Sequence, residues 1–499
     1  MPALLRTKTL FLLLGPLSFL VILWSAPYEG MSPQAVAVLA STIWIAVWWI
    51  TEPIPLPVTS LLPLVLFPLT GGLNLESTGA AFGNKIIFLY LGGFLIAIAL
   101  EKWNLHKRIA LNIISAIGTS MSNMVLGFMI ATAFLSMWIS NTATSVMMLP
   151  IGVALIKQLT DFDASAEIQE NRNPVAANNF AKALMLGIAY AASIGGIATL
   201  IGTPPNLVLA GVVTEFYDTE IGFTAWLLLA FPFSFLLLMI TWFYMVRFAY
   251  PLKSYTFPGG KSEIRRQVKA LGKISFEEKT VLAVFALTAF AWISRSFILN
   301  IYFPALDDSI IAIMGGIALF ILPSGSKDDK RLLDWNAARH IPWGIILLFG
   351  GGLAIAEGFS ESGLAMWIAD KVTLFQGVSL FVLLLIIITL VNFLTEITSN
   401  TATTSMILPI LAPIALTMGV HPFGLLFGAA IAASCAFMLP VATPPNAVVF
   451  GSGYLQMKDM VKTGLFLNVV SILLILFFIY YCLPLIWNID LQAFPDDFR

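Results

Sequence analysis

Two polar islands stand inside long apolar stretches: Ser140-Asn141-Thr142-Ala143-Thr144 and Ser399-Asn400-Thr401-Ala402-Thr403. Their hydroxyls and amides are neutral donors and acceptors. Where such residues open a helix, free N–H groups and the positive end of the helix dipole also face the ligand, a combination suited to an anion. Two further motifs form a second pair, Gly202-Thr203-Pro204-Pro205-Asn206 and Ala442-Thr443-Pro444-Pro445-Asn446. Consecutive prolines remove two backbone donors and break a helix, leaving carbonyls without partners. Carbonyl and hydroxyl oxygens together are hard ligands for a small cation. The plainer readings are small polar residues that glue helices together and kinks that neighbouring helices tolerate. Recurrence at matching places in both halves argues for the functional readings.

Other chemistries find no support. A membrane hydrolase needs a Ser–His or paired-Asp constellation at depth, and neither lies near the islands. His106, His340 and His421 are far apart and form no metal-ligand cluster, and Cys435 and Cys482 make no disulfide framework. Gly92-Gly93 and Gly195-Gly196 read as sites of close helix packing, not phosphate loops. No Lys or Arg lies within the motifs, so a bound anion must be balanced by dipoles and cations. Among the intramembrane acids, Glu101 and Glu357 fall near the ends of apolar runs. Glu396 adjoins the second island, where it serves either ion coupling or, more simply, structural hydrogen bonding.

The elements that carry these motifs are membrane helices. Of 499 residues, 59% are hydrophobic and 11% charged, with mean hydropathy +0.91. Soluble domains carry about 25% charged residues, so a soluble multidomain enzyme is excluded, as is a disordered chain. A net charge of −1 gives no argument for a nucleic-acid partner. Apolar runs able to cross about 30 Å of hydrocarbon fall near 8–26, 33–51, 55–72, 83–103, 180–216, 222–250, 279–300, 305–323, 341–370, 422–455 and 460–487. Residues 1–26 allow a cleaved signal peptide, but the long run and the poor cleavage site Ser25-Ala26-Pro27 favour a first span.

Two more stretches, 121–157 and 378–418, carry the islands at their middles. Each reads as a re-entrant hairpin. Irregular backbone at membrane depth is tolerated only where protein buries it or a cavity opens beside it, so the tips should meet near the centre. The basic loop 251–279, with Lys253, Lys261, Arg265, Arg266, Lys269, Lys273 and Lys279, sets the orientation. It puts the N-terminus, Lys102, Lys107, Arg108, Lys327, Lys330, Arg331, Lys458 and Lys462 in the cytoplasm, and the C-terminus outside. This count requires both hairpins to enter and leave on one side.

The motifs recur in order. The offset is 259 from Gly92 to Gly351 and from Asn141 to Asn400, and 240 from Thr203 to Thr443. A hydrophilic insert near Asp161–Pro174 accounts for the shortening. The fourth and ninth spans run in opposite directions, so the repeat is inverted, the mark of a secondary transporter with its site at the midplane. A channel needs no such paired helix breaks. The fold class expected is an all-α polytopic membrane protein of about eleven transmembrane helices plus two re-entrant hairpins.

Ser434-Cys-Ala-Phe-Met-Leu-Pro440-Val-Ala-Thr-Pro-Pro-Asn446-Ala-Val-Val-Phe-Gly451 resembles the signature of the divalent anion/sodium symporter (INDY-type) family. The paired Ser-Asn-Thr tips and Trp49-Ile-Thr-Glu-Pro-Ile-Pro-Leu-Pro57 are similar too, and the likeness runs from about residue 30 to 487. It implies a homodimer in the cytoplasmic membrane that works as an elevator. Scaffold helices would occupy 1–120 and 221–375, and a moving transport domain 121–220 and 376–499. It implies one sodium site at Ser136, Ser140, Asn141 and the Gly202 backbone, and a second at Thr395, the Thr398 backbone, Asn400 and the Ala442 backbone. Substrate carboxylates would meet Asn141, Thr142, Ser399, Asn400 and Thr401, with Thr203, Thr443 and Pro444 lining the site. The function expected is sodium-coupled transport of C4 dicarboxylates such as succinate, malate and fumarate. The alternatives are a sodium-independent dicarboxylate exchanger and a sulfate- or citrate-transporting member of the same family.

Overall fold

The computed structural model describes residues 2–118, 120–165, 174–252, 260–326, 330–371 and 377–498. Lys253, Lys327 and residues 166–173 of the insert lie outside the described residues. Within them all regular structure is helical, and nine helices are long and apolar enough to cross a membrane.

Prolines divide the apolar runs more finely than hydropathy does. The run at 55–72 becomes Leu56–Thr59 and Leu62–Thr70, each with a proline in its first turn. The run at 180–216 becomes Pro174–Ile197 and Pro204–Tyr217, and 422–455 becomes Pro422–Ala433 and Pro444–Phe450. Proline lacks an N–H and is at home where a helix starts, so each Pro-Pro pair begins a new helix instead of continuing the old one. The stretches carrying the islands form two helical hairpins, Met121–Ser136 with Asn141–Ser165 and Leu380–Leu394 with Asn400–Met418.

Short helices fall outside the marked apolar runs, among them Leu105–Ile117, and the run at 341–370 divides into Trp343–Glu361 and Leu364–Lys371. Leu105–Ile117 is amphipathic: it buries Leu105, Ala110, Leu111 and Ile114 and leaves Lys107 exposed. On it, Arg108 grips Glu278 with both forks, Nε to Oε1 at 2.7 Å and Nη2 to Oε2 at 3.0 Å. Glu278 also closes the capping box with Ser275 that starts Phe276–Ser294.

The hairpins and broken helices pack into one body. Pro174–Ile197 lies against Met121–Ser136 and, across the halves, against Pro444–Phe450, while Pro204–Tyr217 lies against Asn400–Met418. Phe223–Tyr244 joins this body, packing on Met121–Ser136, Pro174–Ile197 and Met457–Phe477. Around it, Lys85–Lys102 packs on Asp308–Ile321, and Pro33–Thr51 packs on Pro2–Ser25 and Leu62–Thr70. A side chain at Gly195 would strike the Ala133 backbone, and one at Gly92 the Ala312 carbonyl. The double glycines are therefore places where helix backbones touch.

An ion network joins several of these elements through the loop after Tyr217. Lys85 Nζ reaches Glu220 Oε2 at 3.1 Å, and Arg295 Nη2 reaches Glu220 Oε1 at 3.0 Å. Arg295 Nε pairs with Asp308 Oδ1 at 2.9 Å, and Asp308 Oδ2 accepts from the Phe223 N–H at 2.8 Å.

Candidate functional site

Both hairpin tips and both helix breaks face one cavity of about 780 Å³. Ser140, Asn141, Thr142, Gly202, Thr203 and Pro204 line it from the first half. Thr398, Ser399, Asn400, Thr401, Ala442, Thr443 and Pro444 line it from the second. The opposite wall includes Thr51, Glu52, Pro57, Tyr90, Phe94, Gly344 and Leu348. The sequence-predicted residues are thus brought together, apart from Ser136 and Thr395, which lie fully buried behind the tips.

Those two hydroxyls show how each tip is held. Ser136 Oγ lies 2.6 Å from Asn141 Oδ1 and 2.7 Å from the Ala192 carbonyl. Thr395 Oγ1 lies 2.7 Å from Asn400 Oδ1 and 2.9 Å from the Ala433 carbonyl. A hydroxyl has one proton for two oxygens, so the second tip holds a cluster rich in acceptors. The Asn141 amide faces the Gly202 and Ala192 carbonyls, each at 3.2 Å, as well as Ser136 Oγ. Turned one way its nitrogen donates to all three. Turned the other way its oxygen completes a nest of hard oxygen ligands around a cation. A Cβ at Gly196 would stand 2.5 Å from Asn141 Oδ1, so glycine there lets the amide in.

The breaks are better satisfied than the paired prolines alone indicate. Asn206 Nδ2 donates to the carbonyls of Gly196, Ile197 and Thr199 at 3.2, 3.2 and 2.7 Å. Asn446 Nδ2 donates to those of Ala436 and Leu439 at 3.3 and 3.0 Å. The amide ending each Thr-Pro-Pro-Asn motif ties down carbonyls on the preceding side of its break, while the Gly202 carbonyl points to Asn141. Sequence reasoning passed over Asn206 and Asn446 as site residues, although their recurrence was the available signal.

Glu396 is 3% exposed and accepts four bonds. Its Oε1 takes the N–H groups of Phe437 and Met438 at 2.8 and 2.9 Å and Asn468 Nδ2 at 2.7 Å, and its Oε2 takes Leu439 N–H at 3.0 Å. It therefore clamps the unwound stretch that leads to Ala442. Glu101 lines a separate cavity of about 440 Å³ with Asn104, His106 and Thr144, on the flank of the first hairpin. Glu357 is absent from the lining of the tip cavity. Among the described residues no group of three His, Cys, Asp or Glu could hold a resident metal.

A helical bundle long and apolar enough to span a membrane, with two broken helices and two helical tips around one cavity, has the architecture of a polytopic membrane transporter. Residues 7–488 match the family described as the sodium:sulfate symporter transmembrane region, and the chain belongs to that family. Among its relatives is the sodium-dependent dicarboxylate transporter SdcS of Staphylococcus saprophyticus, 47% identical over 488 residues, covering 97% of this chain and 93% of that protein. SdcS of Staphylococcus aureus strain USA300 is 47% identical over 486 residues, covering 96% and 92%. Two solved structures share the fold. Neisseria gonorrhoeae MtrF has a TM-score of 0.55 at 14% identity, covering 93% of this chain and 98% of its own. The Alcanivorax borkumensis YdaH transporter has a TM-score of 0.54 at 15% identity, covering 81% and 86%.

Proposed function

We propose that this chain is a secondary active transporter that moves C4 dicarboxylates such as succinate, malate and fumarate together with sodium. The observation that carries the reading is the meeting of two matched tips in one cavity, each offering neutral donors to an anion and an oxygen nest to a cation. The dicarboxylate specificity of the SdcS relatives, named as sodium-dependent, supports the substrate class.

In this reading one carboxylate meets Asn141 and Thr142, and the other meets Ser399, Asn400 and Thr401, with Thr203, Thr443 and Pro444 beside the carbon chain. One sodium ion binds at Ser136, Ser140, Asn141 and the Gly202 carbonyl. The other binds at Thr395, Asn400 and the backbone of Thr398 and Ala442. The hairpins are re-entrant. The body they form with the broken helices, 121–220 and 376–499, carries Phe223–Tyr244 with it and slides as an elevator against the remaining helices of a homodimer. With the N-terminus in the cytoplasm, the end of Pro33–Thr51 and the start of Trp343–Glu361 face inward. Thr51, Glu52 and Gly344 line the cavity, so it opens to the cytoplasm.

Uptake of labelled succinate into proteoliposomes, with sodium replaced by choline, is the test. Saturable uptake that falls to background in choline is the expected result. Uptake indifferent to sodium but dependent on internal dicarboxylate would establish the exchanger instead. Competition by sulfate or citrate, without competition by malate, would move the substrate class.

A further inference from the structure

Where Phe223–Tyr244 ends and Met457–Phe477 begins, a cavity of about 460 Å³ opens that shares no lining residue with the tip cavity. Its apolar wall is aromatic. Tyr244 lines it and stacks on Phe466, with ring centroids 3.8 Å apart and 17° between the planes. Phe248 lines it from the π-helical turn Met245–Ala249 and is exposed.

Its rim is basic. Lys458 and Lys462 line it four residues apart on one helix, hence on one face. Both are exposed, and among the described residues no carboxylate pairs with either. Asp459, the one acid in the described lining, is already engaged. Its Oδ1 meets Lys182 Nζ at 2.9 Å, and its Oδ2 accepts from the Gln456 N–H at 3.0 Å. Tyr250 Oη lies 3.0 Å from Thr463 Oγ1. The unspent charge of the cavity is therefore that of the two lysines.

The same helix face continues downward. Steps of four and three residues lead from Lys462 to Phe466, Val469, Leu473 and Phe477, all exposed and all apolar. Phe243 on the neighbouring helix is bare as well. On a spanning helix such a stripe faces hydrocarbon. A lysine pair over an aromatic wall, set at the head of an apolar track, has the layout of a phospholipid.

We propose that this cavity binds an anionic phospholipid, with the phosphate between Lys458 and Lys462 and an acyl chain along Phe466, Val469 and Leu473. On the orientation given above it is a lipid of the cytoplasmic leaflet. Basic pockets between spanning helices on that side suit phosphate headgroups. A lysine serves phosphate as a point charge, and its long stem can lie on the aromatic wall while the ammonium stays at the interface. A zwitterionic lipid would bring its own cation against the two ammonium groups, so the site selects for net negative charge. Each lysine near such a headgroup is worth about fivefold in affinity, and the pair about 25-fold.

The test follows thermal unfolding of the full-length protein, delipidated in detergent, against added phosphatidylglycerol. Parallel titrations use phosphatidylcholine with the same acyl chains, and inorganic phosphate or glycerol phosphate without chains. Saturable stabilisation by phosphatidylglycerol, at concentrations where the others do little, is the expected result. The double variant Lys458→Gln/Lys462→Gln should raise the half-saturating lipid concentration about 25-fold. Lys458→Arg/Lys462→Arg should retain most of the response. Lys273→Gln/Lys279→Gln, which removes the same charge from exposed positions outside the cavity, should leave it unchanged. Equal loss in the two glutamine double variants would reduce the effect to diffuse surface charge and overturn the proposal. Equal stabilisation by phosphatidylcholine would make the acyl chains alone responsible and overturn it too. Saturation by phosphate or glycerol phosphate at the same concentrations would assign the site to a soluble anion and not to a lipid.

Discussion

Trp138 and Ile397 stand at equivalent places in the two hairpin tips, and one is packed while the other is bare. The Trp138 ring lies parallel to Trp292, with centroids 6.4 Å apart and 9° between the planes, and meets Phe285 edge-on at 5.0 Å. Ile397 is 67% exposed on the cavity wall. The second pair of counterparts follows suit, with Ile201 at 8% and Val441 at 79%. The repeat is alike in sequence but not in environment.

The first prediction follows from that asymmetry. A cysteine at Ile397 should react with a membrane-impermeant maleimide reaching the cytoplasmic face, and sodium plus succinate should slow the reaction several-fold. A rate unaltered by ligands and equal from both faces would mean that the exposure of Ile397 does not report the transport cycle.

Gly196→Ala sets a methyl group against the Asn141 amide. Overpacking of this kind costs about 1–3 kcal/mol, or about one to two decades in affinity. The expected phenotype is inserted, folded protein with sodium activation and uptake both weakened by that factor. Normal sodium activation in Gly196→Ala would show that the Asn141 amide has no part in the nest.

Asn206→Leu and Asn446→Leu each strip buried carbonyls of their donor. An unpaired buried group costs about 1–3 kcal/mol, so each variant should melt several degrees lower whether or not sodium and substrate are present. A melting temperature that falls only in the absence of ligands would assign the amides to the ligands and not to the break.

His421 gives a pH dependence. It caps Pro422–Ala433, its Nδ1 accepting from the Phe423 N–H at 3.2 Å, and its own N–H donates to Leu491 at 3.1 Å in the C-terminal segment. Burial lowers its pKa to about 4, with Asp490 acting in the other direction. The ordinary value is about 6.5. Between the two the unfolded chain binds more protons than the folded one, so stability is full above pH about 6.5 and is lost as pH falls toward 4. Thermal unfolding should therefore occur at lower temperature at pH 5 than at pH 7. His421→Asn, which keeps a capping acceptor without the titration, should flatten the profile. An equal decline in that variant would place the acid sensitivity elsewhere.

The islands, the helix breaks and their order were legible because each is a local departure from an apolar background. The partners were not. Glu396 bonds to residues 41 to 43 positions away and to Asn468 at 72, and nothing local says which donors a carboxylate will meet. Asn206 bonds backward across its own break, which identity alone does not reveal. Leu105–Ile117 escaped because a search for long apolar runs passes over a helix with one wet face. Trp138 and Ile397 differ in the neighbours that other elements bring to them, Trp292 and Phe285 beside the one, a property no stretch of sequence carries.

Glu52 is the one charged side chain among the described residues lining the tip cavity. An anion entering alone would trade its hydration for neutral dipoles facing a carboxylate, an unfavourable exchange. On the proposed reading this makes the carrier tight against leaks. When the sodium gradient collapses, dicarboxylates stored in the cell do not drain out through it unaccompanied, because the empty wall holds nothing that would keep them there.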